Sequence, residues 1–153
     1  MAERAAPIRP ARAADLPAIL ACAEAAYGKY VARMGKKPGP MLADYQDQIA
    51  AGLVHVLEHD ADVAGFIVLM ARADHLFVEN VALDPAHHGQ GLGRRLMTFA
   101  EERAQELGLG GIRLYTNVKM TENFPFYERL GYQITERRTE DGYDRVYFLK
   151  RLV

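Results

Sequence analysis

Residues 78–97 read VENVALDPAHHGQGLGRRLM, and the chemistry they suggest is the holding of an anion. An apolar run stops at Asp84-Pro85. Alternating glycines follow at Gly89, Gly91 and Gly93, and a helix-period sequence then opens with Arg94 and Arg95. Glycines let a backbone approach a ligand closely, and the N–H groups without partners at a helix start attract negative charge. Positive side chains in a first helical turn oppose the helix dipole. The positions three and four residues beyond the arginines (Met97, Thr98, Phe99) carry no acid to offset them. A bound phosphate or pyrophosphate resolves that conflict; an ordinary glycine loop with two solvated arginines is the alternative. Two phosphate motifs fail on spacing. A P-loop needs a Lys-Ser/Thr pair after its glycines, and none follows here. A dinucleotide fingerprint needs G-x-G-x-x-G with a later acid, whereas this chain has G-x-G-x-G and carries Arg113 early in its next strand.

A second group with chemical potential is Glu79, which breaks the apolar run of Leu76–Val78 just before the glycine loop. Burial raises a carboxyl pKa, so an acid here could take a proton from an ammonium group; it could also bind that ammonium, or face solvent. Tyr27, Tyr30, Arg33, Met34, Asp44 and Tyr45 surround a Gly/Pro segment at 35–40. These aromatics and Asp44 could suit an amine, or they form an amphipathic helix and a solvated loop. The five histidines include His55, His59 and the adjacent His87-His88, but no helical H-x-x-x-H and no nearby cysteine pair, so no metal site is expected. No Ser-His-Asp arrangement suggests itself. Cys22, the sole cysteine, falls among alanines in a helical stretch, where a buried inert thiol is expected.

The elements that must position these groups follow from periodicity. Ile8-Arg9 between two prolines reads as a short edge strand. Asp15 to about Tyr27 reads as a helix with Pro17 in its first turn, 33–41 as a loop, and 42–51 as a short helix. Strands are expected at about 53–58 and 63–71, joined by a turn at 59–62, and again at 75–83. The next helix is predicted from about Gly89 to Leu107 by apolar residues at 92, 96, 99, 100, 104 and 107, with Gly108 as its stop. A strand at 111–118, a short helix at 121–130 ending at Gly131, and a hairpin of 132–138 with 143–150 complete the chain. Strand–helix–strand between 75 and 117 implies a right-handed crossover and at least one parallel pair.

Composition bounds the function. At 153 residues the chain suits one well-buried core, so a single domain over 1–153 is expected. A net charge of −1 argues against a nucleic-acid partner. No apolar run approaches the roughly 20 residues needed to span a bilayer, so no membrane partner is expected. The opening MAERAAPIRP lacks the apolar core of a signal peptide. One cysteine forbids an internal disulfide, and a reducing cytoplasm is the expected location. Exposed strand edges in a small domain often pair, so a homodimer is a reasonable expectation.

The loop His88-Gly89-Gln90-Gly91-Leu92-Gly93 resembles the R/Q-x-x-G-x-G/A pyrophosphate loop of the GNAT N-acetyltransferases, and VALDPAHHG before it is similar to that family's V-x-V-x-P-x-x-R-G. Downstream, NFPFYERLGY (123–132) resembles a second hallmark, a tyrosine-bearing helix followed by a Gly-aromatic pair. The opening IRPARAADLPAI extends the resemblance over nearly the whole chain. Two departures stand out. His88 occupies the place of Arg or Gln, and Met120 occupies a place, seven residues before the tyrosine, where the family often has asparagine. Asn123 shares a helical face with Tyr127 and either substitutes for that asparagine or simply starts the helix.

The resemblance implies an α/β fold with a mixed, mostly antiparallel central sheet flanked by helices. It implies acetyl-CoA as acyl donor, no metal, and a small-molecule or protein amine as acceptor, attacked directly in a ternary complex. Val81, Ala82 and Leu83 would hold the pantetheine arm and acyl carbonyl through backbone groups, an oxyanion-hole type of stabilisation. By periodicity alone the same three are core strand residues. Residues 88–93 with Arg94, Arg95 and Asn123 would complete the donor site. Tyr127 matches the tyrosine that protonates the leaving thiolate, and a phenol near pKa 10 keeps its proton for that purpose; without the resemblance it reads as a core tyrosine. Glutamate at the place of Glu79 is common in the family. The segment bearing Tyr27, Tyr30, Arg33 and Asp44 corresponds to the acceptor cover. A non-catalytic acyl-CoA-binding regulator, and an acyltransferase with another donor or acceptor, are the alternatives.

Overall fold

The computed structural model describes residues 7–152. Its elements are β1 (Ile8–Pro10), α1 (Leu16–Tyr27), α2 (Lys29–Met34), α3 (Tyr45–Ala50), β2 (Val54–His59), β3 (Asp62–Ala71), β4 (Leu76–Leu83), α4 (Leu92–Glu106), β5 (Gly111–Asn117), α5 (Asn123–Arg129), β6 (Gln133–Glu140) and β7 (Tyr143–Arg151). The seven strands form one sheet in the order β1-β2-β3-β4-β5-β7-β6. The β4–β5 pair is parallel, with Leu76 opposite Ile112 and Val78 opposite Leu114. The pairs β1–β2, β2–β3, β5–β7 and β6–β7 are antiparallel. This is the mixed, mostly antiparallel α/β sheet expected from the sequence.

The chain divides into two compact units: residues up to Leu69 with Asn80–Phe99, and Met70–Glu79 with residues from Ala100 onward. In the first, Ile19, Val54, Val56, Leu57, Phe66, Ile67, Val68, Leu96 and Met97 are almost fully buried. Cys22 is buried as well, its thiol directed at the Ala64 carbonyl, and burial pushes its pKa up to about 12. Arg9 on β1 reaches Asp15 at 2.8 Å and Glu58 at 3.1 Å, and the guanidinium holds the Asp15 carboxyl down at about 2. In the second unit, Leu76, Ile112, Leu114 and Phe148 are buried, while the edge strand β6 exposes Arg137 and Arg138 and half-buries Glu136 and Glu140, a charged edge that suits a strand that must not pair further. The β6–β7 turn has Asp141 and Gly142 at positive φ, the conformation a two-residue hairpin favours.

Three expectations shift. Residues 33–41 are not wholly a loop: α2 runs to Met34 and a 3-10 turn covers Gly39–Met41. The glycine loop is not part of the helix, which begins at Leu92 rather than Gly89, because Gly89 and Gly91 adopt φ of 82° and 76°. The far end of α4 falls at Glu106, one residue short of Leu107. It closes with a Schellman cap: Gly108 N–H bonds Gln105 O, and Leu109 N–H bonds Ala104 O.

Candidate functional site

In the first unit the loop is built stepwise from the end of β4. Asp84 halts the strand: its N–H bonds the Ala64 carbonyl, and its carboxylate caps the short 3-10 turn Pro85–His87 by accepting from Ala86 N–H at 3.0 Å. His88, Gly89 and Gln90 are exposed. A Cβ on Gly89 or Gly91 would meet nothing within 4 Å, so these glycines serve the left-handed turn rather than relieving a clash, and the space beside them is open. Arg95 N–H bonds the Gly91 carbonyl as the first helical link, so the N–H groups of Leu92, Gly93 and Arg94 come before any intrahelical acceptor. Gly93 is the second residue of α4. Among the described residues neither Arg94 nor Arg95 has a recorded ion pair, and no acid lies in the first turn. Open left-handed glycines, unsatisfied N–H groups and unbalanced positive charge converge on one turn, and that donor set fits a pyrophosphate.

β4 alternates strictly between buried and half-buried residues. Val81 and Leu83 lie on the half-buried face, while Ala82 is on the buried one with Asn80. Gly65 on β3 lets the strands approach: a Cβ there would sit 2.6 Å from the Ala82 carbonyl and 3.3 Å from a Leu96 methyl. Periodicity showed this strand, but the glycine inside AGFIVLM was the overlooked signal for a close approach.

The acceptor-side candidates separate. Tyr27 is buried, and its hydroxyl lies 2.6 Å from Asn80 Oδ1 and 2.7 Å from the Val81 carbonyl, with a single proton to give to one of them. Tyr30 is buried with Lys29 and Arg33 against its ring. Asp44 is exposed and caps α3 by accepting from Asp47 N–H. Tyr45 donates to the Pro40 carbonyl and accepts from Asn80 Nδ2. Asn80 was missed by sequence reasoning, though the alternation of β4 places it in phase with Val78 and Ala82. The His59 and His87 rings meet edge to face at 5.3 Å, and among the described residues no group of three or more His, Cys, Asp or Glu side chains could hold a metal.

In the second unit, Glu79 is half-buried on the same face of β4 as Phe77. Phe77 stacks against Tyr115 at 5.8 Å, and the Arg145 guanidinium lies 4.3 Å over the Tyr115 ring. Burial raises the Tyr115 pKa; Arg145 opposes that rise and Glu79 adds to it. Tyr127 is buried on α5 with its ring against Phe126, Tyr132 and Phe148, and its carbonyl accepts from Leu130 and Tyr132 N–H groups. Asn123 is the first residue of α5, and its Nδ2 donates to Thr116 Oγ1 at 3.0 Å, beside buried Met120.

A family model described as the acetyltransferase (GNAT) family matches residues 22–132. The chain belongs to the GNAT acetyltransferase family. Among curated relatives, the streptothricin acetyltransferase of Streptomyces lavendulae is 33% identical over 75 residues, 48% of this chain and 40% of that protein. The mycothiol acetyltransferase of Nocardia farcinica is 42% identical over 52 residues, 34% of this chain and 17% of that protein. The chain thus spans less than half the length of these relatives. The PaiA N-acetyltransferase from Thermoplasma acidophilum, solved with coenzyme A, superposes with a TM-score of 0.80 at 20% identity, covering 96% of this chain and 99% of that one. The ribosomal-protein-S18-alanine N-acetyltransferase from Escherichia coli gives 0.73 at 21% identity over 95% and 93%. At these identities the superpositions establish the fold, which is that of GNAT acetyltransferases.

Proposed function

We propose that the chain, as a single domain over residues 1–153, transfers the acetyl group of acetyl-CoA to an amine by direct attack in a ternary complex. The observation carrying this is the turn before α4, where two open left-handed glycines lead into a helix start with two arginines and no acid in its first turn. Residues 89–93 present the backbone N–H groups, His88 enters the loop with its own N–H bonded to the Pro85 carbonyl, and Arg94 and Arg95 add the charge that holds the pyrophosphate. Val81, Ala82 and Leu83 contribute backbone groups to the pantetheine arm and acyl carbonyl.

The donor supplies an acyl carbon activated as a thioester. Glu79 receives the ammonium proton, directly or through water, leaving a neutral amine to attack. The new C–N bond forms as the C–S bond breaks, and the Tyr127 hydroxyl gives its proton to the departing sulfur, to be reprotonated from solvent. The acceptor is an amine, free or on a protein, and the lone buried Cys22 supports work in a reducing cytoplasm. Calorimetry with acetyl-CoA followed by a thiol-release assay over an amine panel tests the reading. Micromolar binding with turnover is expected. Absence of binding overturns it, and tight binding with no transfer to any amine marks an acyl-CoA-binding regulator instead.

A further inference from the structure

A buried polar chain crosses the first unit. The Pro40 carbonyl accepts from Tyr45, Tyr45 accepts from Asn80 Nδ2, and Asn80 Oδ1 accepts from Tyr27, whose hydroxyl also lies 2.7 Å from the Val81 carbonyl. All three side chains are at most 8% exposed. Rotating the Asn80 amide by half a turn exchanges donor and acceptor along the chain. In the rotated orientation Asn80 Nδ2 donates to the Tyr27 oxygen, the single Tyr27 proton goes to the Val81 carbonyl 2.7 Å away, and Tyr45 turns its own proton to Asn80 Oδ1. An asparagine in phase with the apolar residues of a strand is tolerated only when both ends of its amide are satisfied, and here α1 and α3 each send a phenol to do so.

We propose that Tyr27 and Asn80 are positioning residues for the strand that holds the acyl group, an inference that rests on the acetyl transfer proposed above. The N–H and C=O of one strand residue point toward the same edge. A phenol clamped on the Val81 carbonyl therefore sets the direction of the Val81 N–H, a donor in the acyl-carbonyl site. The clamp also occupies one lone pair of that carbonyl, which leaves the N–H as the stronger element of the pair. Such donors stabilise developing charge to the extent that they are fixed in advance. Because Pro40 ends the Gly/Pro segment at 35–40 and Tyr45 follows it, the same chain anchors that segment to the acyl strand.

Isotope-edited infrared spectroscopy of acetyl-CoA labelled with carbon-13 at the thioester carbonyl tests this without knowledge of the acceptor. Bound to the unmodified protein, the carbonyl stretch should move to lower frequency than in free acetyl-CoA. Tyr27→Phe keeps the ring volume and should lose most of that shift, while acetyl-CoA affinity stays within about threefold because the pyrophosphate contacts are untouched. Asn80→Ser should lose a similar part, and the double variant no more than either alone, since the two act in series. Should Asn80→Ser fail to fold, Tyr27→Phe alone decides. An unchanged shift in folded Tyr27→Phe overturns the positioning role and leaves acetyl transfer standing. A wild-type protein that binds acetyl-CoA with no shift does the same. A wild-type protein that does not bind acetyl-CoA overturns both.

Discussion

The glycine turn ahead of α4, the proposed donor site, and the helix carrying Tyr127, the proposed general acid, are built by opposite means. The turn is exposed, open beside its glycines and carries two arginines with no acid in the first helical turn. Tyr127 is enclosed by Phe126, Tyr132 and Phe148, so its ring is already used for packing and any chemistry must come from one oxygen. A site made of backbone and net charge tolerates many side-chain changes but not a change of conformation. A site made of one hydroxyl tolerates nothing at that atom, yet its surroundings keep the ring in place when the oxygen is removed.

The largest effect should come from the enclosed side of this comparison. Tyr127→Phe preserves packing, and loss of general-acid help should lower the single-turnover rate by about 10²–10⁴-fold with near-normal acetyl-CoA affinity. The loss should fall at the low end, since a CoA thiolate leaves readily on its own. Full single-turnover activity in the Phe variant would make Tyr127 structural. On the open side, Gly91→Val should weaken acetyl-CoA binding roughly tenfold or more, because a β-branched residue resists positive φ. Calorimetry on a folded variant with unchanged affinity would remove the donor assignment from this loop.

Smaller changes sharpen the charge part of the comparison. Arg94→Glu and Arg95→Glu should each weaken binding several-fold, on the order of 1 kcal/mol, with affinity falling as salt rises. The same reversals should raise the melting temperature slightly without ligand, since acids suit a helix start. Melting both variants with and without CoA separates the two effects. Smallest of all should be Arg138→Ala on β6, whose guanidinium already pairs with Glu136 at 2.8 Å and Glu140 at 3.6 Å. An exposed balanced pair contributes little to stability, so the melting temperature should barely move and acetyl-CoA affinity should not change. An effect on binding there as large as that at Arg94 would erase the distinction between balanced and unbalanced arginines.

Much of this was legible in the residues. The β4–α4–β5 unit follows from an apolar strand run, a 3.6-residue helical period and a glycine stop, each a local signal read in one window. The start of α4 was misplaced because a glycine fits helix and left-handed turn alike in a pattern of apolar spacing, and only the backbone distinguishes Gly89 and Gly91 from Gly93. α2 was partly taken for loop because Gly28 and Gly35 bracket six residues, too few for periodicity to register. Asn80 was hidden by its neighbour: Glu79 drew notice as the charged interruption, while the residue facing inward was the one with two buried partners, Tyr27 and Tyr45. Such a chain joins residues 27, 45 and 80, and no spacing rule along one segment can show it. Gly65 needed the opposite strand for the same reason.

One feature of the first unit bears on how the chemistry can be measured. The sole thiol of the chain, Cys22, is 2% exposed with its pKa pushed up to about 12. At the mildly alkaline pH of a disulfide-exchange assay, only about one such thiol in 10⁴ is ionised, and the surrounding helix and strand shield it from reagent. The protein is therefore optically silent to thiol-specific dyes while folded, so every thiol counted comes from released CoA. A stoichiometric first turnover can be read directly against enzyme concentration, and slow dye uptake in the absence of acetyl-CoA would report unfolding in the same cuvette.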